Sequence, residues 1–288
     1  MIALFFSILF TVLVFVILKE FDLYKLDNFQ AIVVSYILAF IIGLFFSESN
    51  ITISFLLDKK WIYGAIGISI IFITVFNLMA ITAQKGGLSV MTIALKMSMV
   101  IPITIGVFLY GESLGFLKIA GVLLALIGIW FTTKKTEGVQ LDKQFWYLPF
   151  LIFLGGGTAD TLLNHIQLNF VPKHELDAFS TSLFLFCALI GILVFLIRIG
   201  LGNLKISIKS WIGGLILGAP NYFSIYYLVK ALAQKEYGTA FTFSAHNLLV
   251  VLSSVLLGLW LYKEKLNKQN YLGLGMSILA IVFLYFTL

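Results

Sequence analysis

The chain has 288 residues, of which 61% are hydrophobic and only 11% are charged. A soluble globular domain has about 25% charged residues, so this chain has too little polar surface to cover itself in water. The composition therefore indicates a lipid environment and excludes a soluble enzyme or a nucleic-acid-binding module. The net charge of +6 is then information about membrane topology. The one cysteine, Cys187, gives no disulfide framework.

Ten apolar stretches are each close to the length of roughly 20 residues that a helix needs to cross a bilayer. Helices are expected because open sheet edges cannot face lipid and because the stretches lack the alternation of barrel strands. The first stretch has no basic segment before it and no cleavage site after it, so it is predicted to be a retained span. In chain order, the predicted spans are Ile2–Leu18, Phe29–Phe46, Trp61–Ala83, Leu88–Tyr110, Phe116–Thr133, Phe145–His165, Leu176–Ile199, Trp211–Ala233, Tyr237–Leu261 and Tyr271–Leu288.

The two halves of the chain share a pattern of residues at one constant offset, which indicates an internal repeat. The matched pairs are Gly106 with Gly258, Tyr110 with Tyr262, Glu112 with Glu264, Leu114 with Leu266, and Gly121 with Gly273. Each half then contains five spans, and the predicted halves are residues 1–138 and 139–288. Because five is odd, the first half ends on the membrane face opposite to the one where it begins. The second half starts on that opposite face and therefore crosses the membrane in the inverted orientation. The sequence therefore predicts an all-α membrane protein with ten transmembrane helices in two inverted five-helix repeats, an architecture common among secondary transporters.

This arrangement of spans and repeated motifs resembles that of the EamA family of the drug/metabolite transporter superfamily. The resemblance is carried by the ten short-looped spans, by the segments 111–114 and 118–121, and by the segment 262–266 with Gly273. Lys263 stands where the family has a glycine. The resemblance implies a central cavity lined by spans three, four, eight and nine, and transport of small metabolites across a bacterial inner (cytoplasmic) membrane. It also implies that both termini are cytoplasmic. The charge distribution indicates the opposite: the loops on the membrane face that contains the first loop carry more basic residues, and the positive-inside rule then places the termini outside.

Two charged residues, Lys96 and Asp160, lie well inside predicted spans. A charge in the bilayer interior is costly and normally faces a cavity or a partner. We therefore predict that Lys96 binds substrate, the alternative being that its ammonium extends to the membrane surface. Asp160 is the candidate for proton coupling, although it could equally be a solvated residue near the end of its span. Their expected depths differ by about 10 Å, so a direct ion pair is left open and not assumed.

Uncharged polar residues also lie at mid-depth and are predicted to line a substrate site: Asn77, Asn221, Tyr222, His246 and Asn247. For the Asn and His residues the alternative is a hydrogen bond between packed helices, and we favour that alternative for Asn77 taken alone. For Tyr222 the alternative is packing in the core.

Four further residues are assigned structural roles. Pro102 and Pro220 each remove a helical hydrogen bond, so we expect broken helices that offer backbone groups near the midplane. Glu112 and Glu264 are expected to accept backbone hydrogen bonds at the starts of the fifth and tenth spans. Small residues four apart, beginning at Gly121 and Gly273, are predicted to allow close helix packing and to offer a face for a homodimer.

The leading hypothesis is a secondary transporter that moves a small polar or amphipathic metabolite by alternating access, with amino-acid-like molecules favoured. The alternatives are a multidrug exporter of lipophilic cations that depends on Asp160, and a non-transporting membrane scaffold. The sequence contains no phosphate-binding loop, no His-Glu-x-x-His motif and no nucleophile elbow, so an enzyme is not expected. No cofactor, metal or nucleic acid is expected either. Substrate, direction and coupling ion are left undetermined by the sequence.

Overall fold

A computed structural model of the chain describes residues 1–47, 51–86, 94–110, 115–133, 145, 147–202, 205–234, 238–261 and 268–286. These residues are almost entirely helical and contain no strand. The helices are α1 (Ile2–Leu23), α2 (Asn28–Phe46), α3 (Ile53–Leu57), α4 (Ile62–Gly86), α5 (Val100–Tyr110), α6 (Phe116–Thr133), α7 (Tyr147–Phe170), α8 (Leu176–Gly200), α9 (Ile208–Leu232), α10 (Gly238–Leu261) and α11 (Lys268–Tyr285). The all-helical class predicted from composition is confirmed within these ranges.

Every predicted span overlaps one of the long helices, and the additional helix is the five-residue α3. Thr52 caps α3, because its Oγ1 accepts a hydrogen bond from the backbone N–H of Phe55. Four of the described helices, α2, α4, α8 and α9, contain stretches long and apolar enough to cross a membrane by length and composition. Five others contain shorter apolar stretches.

The fourth predicted span differs from a single continuous helix. Residues 94–97 are helical, Ser98 and Met99 form a turn, and α5 begins at Val100. The N–H of Ile101 bonds to the carbonyl of Ser98 at 3.0 Å, three residues back instead of four. Pro102 has no N–H to offer that carbonyl, so the interruption directly precedes the proline, as expected from its chemistry. The beginning of this span, residues 87–93, lies outside the described residues.

Pro220 was also expected to break its helix, but α9 continues through it without a break. A proline inside a helix removes only the bond to the carbonyl four residues earlier, here that of Ile216. The helix is held in place by close packing around Gly218, where an added Cβ would lie 2.8 Å from Cβ of Leu38. The broken helix predicted at Pro220 was therefore wrong.

The chain forms two compact units that each combine segments from both sequence halves. The first unit contains Met1–Thr74 and Leu162–Ala233, and the second contains Val75–Thr161 and Gln234–Leu288. The boundaries between units fall inside α4 and α7, so both helices contribute to each unit. The repeat boundary predicted after residue 138 lies outside the described residues.

In the first unit, α2 packs against α8 and α9, and α1 packs against α9. Small residues bring α2 and α9 close together, since a Cβ added to Gly214 would lie 2.5 Å from the carbonyl oxygen of Ala31. The buried side chains of Val14, Phe21 and Leu217 surround this contact. Burial of such side chains is therefore part of what holds these three helices together.

A buried glutamine joins the start of α2 to the segment before α9. Gln30, which is 1% exposed, donates from Nε2 to the carbonyl of Lys205 and accepts at Oε1 from the N–H of Ser207, both at 2.9 Å. The N–H of Asp27 also donates to Oγ of Ser210 at 2.8 Å. Together these bonds satisfy backbone groups near the ends of both helices, which would otherwise lack partners.

In the second unit, the most extensive contact joins α6 and α11, and α10 packs against α5, α6 and α11. Gly121 and Ala125 of α6 and Gly273 of α11 are buried. The small residues predicted to allow close packing therefore lie in a part of the molecule where these two helices meet within one chain. A homodimer through the same faces stays a prediction.

Candidate functional site

A buried ammonium lies at the centre of the candidate site, which is contained in the second unit. Lys96, in the helical segment 94–97, is 5% exposed, and its Nζ donates a hydrogen bond to Oδ1 of Asn247 on α10 at 3.1 Å. A charged amine taken out of water needs such partners, because burial without them is very costly. The two residues predicted separately from the sequence are therefore neighbours.

His246 and Asp160 complete this cluster. The buried side chain of His246 interacts with those of Lys96 and Asn247. Asp160, on α7, is partly buried and interacts electrostatically with Lys96. The site thus contains an ammonium, a carboxylate, an amide and an imidazole in a largely buried environment. Such a set can bind a small molecule that carries an anionic group, a cationic group or both.

Glycines in α7 allow this helix to pass close to the segment that carries Lys96. A Cβ added to Gly156 would lie 3.1 Å from Oγ of Ser98 and 3.1 Å from Cδ1 of Leu95. At Gly157 it would lie 2.8 Å from Cβ of Ile101. α7 therefore passes close to the turn that follows Lys96. Asp160 lies one helical turn beyond Gly156 on the same face, which explains how it comes near the ammonium.

The other predicted substrate-binding residues are distributed differently. Asn77 lies in α4 of the second unit and is partly buried. Asn221 and Tyr222 lie in α9 of the first unit, where Asn221 Nδ2 donates to Oγ of Ser35 at 3.4 Å. The hydroxyl of Tyr222, a fully buried residue, is 3.5 Å from Oγ1 of Thr181. Both side chains of α9 thus make contacts between packed helices, which is the alternative role considered from the sequence.

The first unit contains a second polar cluster, whose charged members Lys230 and Asp177 the sequence reasoning missed. Lys230 Nζ donates to the hydroxyl of Tyr226 and lies 3.4 Å from Oδ1 of Asp177. The ring of Tyr226 stacks on that of Tyr222, with 5.5 Å between centroids. The spacing of Tyr222, Tyr226 and Lys230, four residues apart on α9, was the available signal, because such residues share one helix face.

A buried carboxylate joins the starts of α4 and α8 in the same unit, and sequence reasoning missed it too. Glu175, 6% exposed, accepts hydrogen bonds from Nζ of Lys59 and from Nε1 of Trp61, the latter at 2.9 Å. The Trp61 ring also packs edge-on against Phe179, with 5.6 Å between centroids. These contacts tie the segment before α4 to the first turn of α8.

Two assigned structural residues cannot be placed, since Glu112 and Glu264 lie outside the described residues. The described ranges contain no group of three or more His, Cys, Asp or Glu side chains that could hold a metal ion.

Three comparisons with known proteins bear on identity. Residues 168–286 match the sequence model of the EamA-like transporter family. A protein of Haemophilus influenzae described as uncharacterized is 28% identical over 215 residues, which cover 74% of this chain and 72% of that protein. A solved structure, described as the crystal structure of a protein, matches with a TM-score of 0.74 at 13% identity, and the match covers 98% of this chain and 94% of the chain in that structure.

The structural match shows a shared fold, and the family match covers the second part of the chain. The apolar helices described above agree with both findings. The chain is therefore a multi-pass integral membrane protein whose residues 168–286 are similar to the EamA-like transporter family.

Proposed function

We propose that the chain is a secondary transporter that moves a small polar or amphipathic metabolite by alternating access, with amino-acid-like molecules favoured. The observation that supports this most directly is the buried ammonium of Lys96, held by Asn247 and near Asp160. Ten membrane crossings in two inverted repeats, and a location in the bacterial inner membrane, are part of the proposal.

The charges of the cluster suit a molecule with a carboxylate and an amine. The Lys96 ammonium attracts a carboxylate strongly because the surroundings are poor in water. Asp160 can attract an amine or take up a proton, which makes it the proposed coupling residue. His246 and Asn247 supply further polar groups, and Asn77 of the same unit is a proposed further contact. Asn221 and Tyr222 stay proposed substrate-binding residues of the first unit. Pro102, beside the interrupted helix, is proposed to leave backbone groups available near this site.

The test is a transport assay with the purified full chain in proteoliposomes, using radiolabelled L-amino acids offered singly. We expect uptake by the natural chain and its loss in the Lys96→Ala variant. The matched control is Lys268→Ala, because Lys268 is exposed at the start of α11. A thermal melt of each variant in detergent checks that the fold is retained.

Other outcomes separate the alternatives. Uptake that persists fully in Lys96→Ala contradicts the assigned role of Lys96. Resistance of cells to lipophilic cations that disappears in Asp160→Asn would instead favour a multidrug exporter. If neither residue affects any transported compound, a non-transporting scaffold is the better description.

A further inference from the structure

Ser244 lies in α10 with its hydroxyl buried. The residue is 0% exposed, and its Oγ has no hydrogen-bond partner among the residues that the structure describes. Buried polar atoms are nearly always paired in native structures, so each exception calls for an explanation. Nothing in the sequence had singled out this serine.

Several other buried hydroxyls on the described helices are paired within their own helix. Ser180 and Ser182 donate to the carbonyls four residues earlier, at 2.9 Å and 2.7 Å. Thr242, two residues before Ser244 on α10, does the same at 2.9 Å. This local bond is the usual solution for a hydroxyl in an apolar helix. The hydroxyl of Ser244 departs from it and remains able to donate and to accept.

The position of Ser244 connects it to the candidate site. It precedes Asn247 by three residues, so the two side chains lie on the same face of α10, about 4.5 Å apart along the helix axis. Asn247 is the residue that binds the ammonium of Lys96. The hydroxyl, which is unpaired among the described residues, therefore lies one helical turn from the side chain that binds the buried positive charge.

We propose that Ser244 is a further cargo-binding residue, whose hydroxyl donates a hydrogen bond to the carboxylate that Lys96 attracts. This inference rests on the proposed function. A carboxylate has two oxygens and can accept from an ammonium and a hydroxyl together. The pair thereby selects cargo with a free carboxylate, since an ester lacks the negative charge and loses the charge-assisted bonds to both residues.

The experiment measures half-saturation of uptake in proteoliposomes for the L-amino acid that the natural chain takes up best. We expect Ser244→Ala to raise the half-saturating concentration about tenfold, the usual weight of a hydrogen bond to a charged group. Ser244→Thr keeps the hydroxyl and should restore most of the affinity. The control is Ser180→Ala, which removes an equally buried hydroxyl that is already paired within α8. An excess of the matching methyl ester should not compete.

A thermal melt distinguishes binding from packing. Removing an unpaired buried hydroxyl should leave the melting temperature unchanged or raise it. A lower melting temperature with a parallel loss of uptake would show a packing role and overturn the inference. Unchanged half-saturation in Ser244→Ala, with uptake lost in Lys96→Ala, would overturn it while leaving the proposed function standing. Absence of amino-acid uptake by the natural chain would overturn both, and competition by the methyl ester would overturn the carboxylate selection.

Discussion

Nζ of Lys96 donates a hydrogen bond of 3.1 Å to Oδ1 of Asn247, although the two residues are 151 positions apart in the chain. The acceptor is a neutral amide, so the bond orients the ammonium without cancelling its positive charge. Each residue was predicted separately to bind substrate, and the contact between them gives the candidate site its centre. The charge balance of the site can therefore be changed at Asn247 while Lys96 is kept.

Replacing the amide by a carboxylate tests whether the charge of Lys96 matters. In Asn247→Asp, a carboxylate takes the place of the amide beside the ammonium and pairs with it. We expect the affinity for amino-acid cargo, measured as half-saturation of uptake, to fall roughly tenfold or more. The melting temperature should not fall, because the buried charge gains a partner. Uptake equal to that of the natural chain would show that the ammonium is not the cargo-binding group.

Asp160 is expected to couple transport to protons. It is partly buried and interacts electrostatically with Lys96. In proteoliposomes, an imposed pH gradient should stimulate uptake by the natural chain, whereas Asp160→Asn should exchange cargo without responding to the gradient. Asp177→Asn serves as the control, because Asp177 pairs with Lys230 in the first unit. A response retained in Asp160→Asn would reject this assignment.

Close packing at Gly157 should make that position intolerant of a side chain. A Cβ there would lie 2.8 Å from Cβ of Ile101, an atom that cannot move away without the backbone. We expect Gly157→Ala to lower the free energy of unfolding by about 1–3 kcal/mol, the usual cost of overpacking. Gly67→Ala is the matched control, since an added Cβ at Gly67 meets nothing within 4 Å. That variant should be unchanged or more stable by up to about 1 kcal/mol. Equal effects of the two substitutions would contradict the packing described here.

The carboxylate of Glu175 should contribute measurably to stability. In Glu175→Gln, the charge that pairs with Lys59 is lost, although the amide can still accept from Trp61. We expect the free energy of unfolding to fall by about 1–3 kcal/mol. Lys59→Met should have a similar effect. The double variant should lose less stability than the sum of the two single losses, because both substitutions remove the same interaction. Additive costs would show that the two residues do not act together.

Local patterns predicted the helices and the polar character of the candidate site. Lys96, Asn247 and Asp160 stood out because charged and amide groups are rare in apolar spans. The sequence could not predict which of them meet, because contacts such as that of Lys59 with Glu175 join residues 116 positions apart and depend on helix packing. The short helix α3 was missed since five residues show no periodicity. Ser244 was missed because its chemistry is ordinary, and only its lack of a hydrogen-bond partner among the described residues is unusual.

The bridge made by Gln30 has a consequence for how the first unit responds to pH. Its amide both donates and accepts, so it satisfies a backbone carbonyl and a backbone N–H in one residue. A carboxylate in its place would oppose the carbonyl of Lys205, and a hydrocarbon would leave both backbone groups bare. Because an amide does not titrate, these two hydrogen bonds have the same strength in acidic and alkaline surroundings, and they hold α2 to the segment before α9 equally well in both.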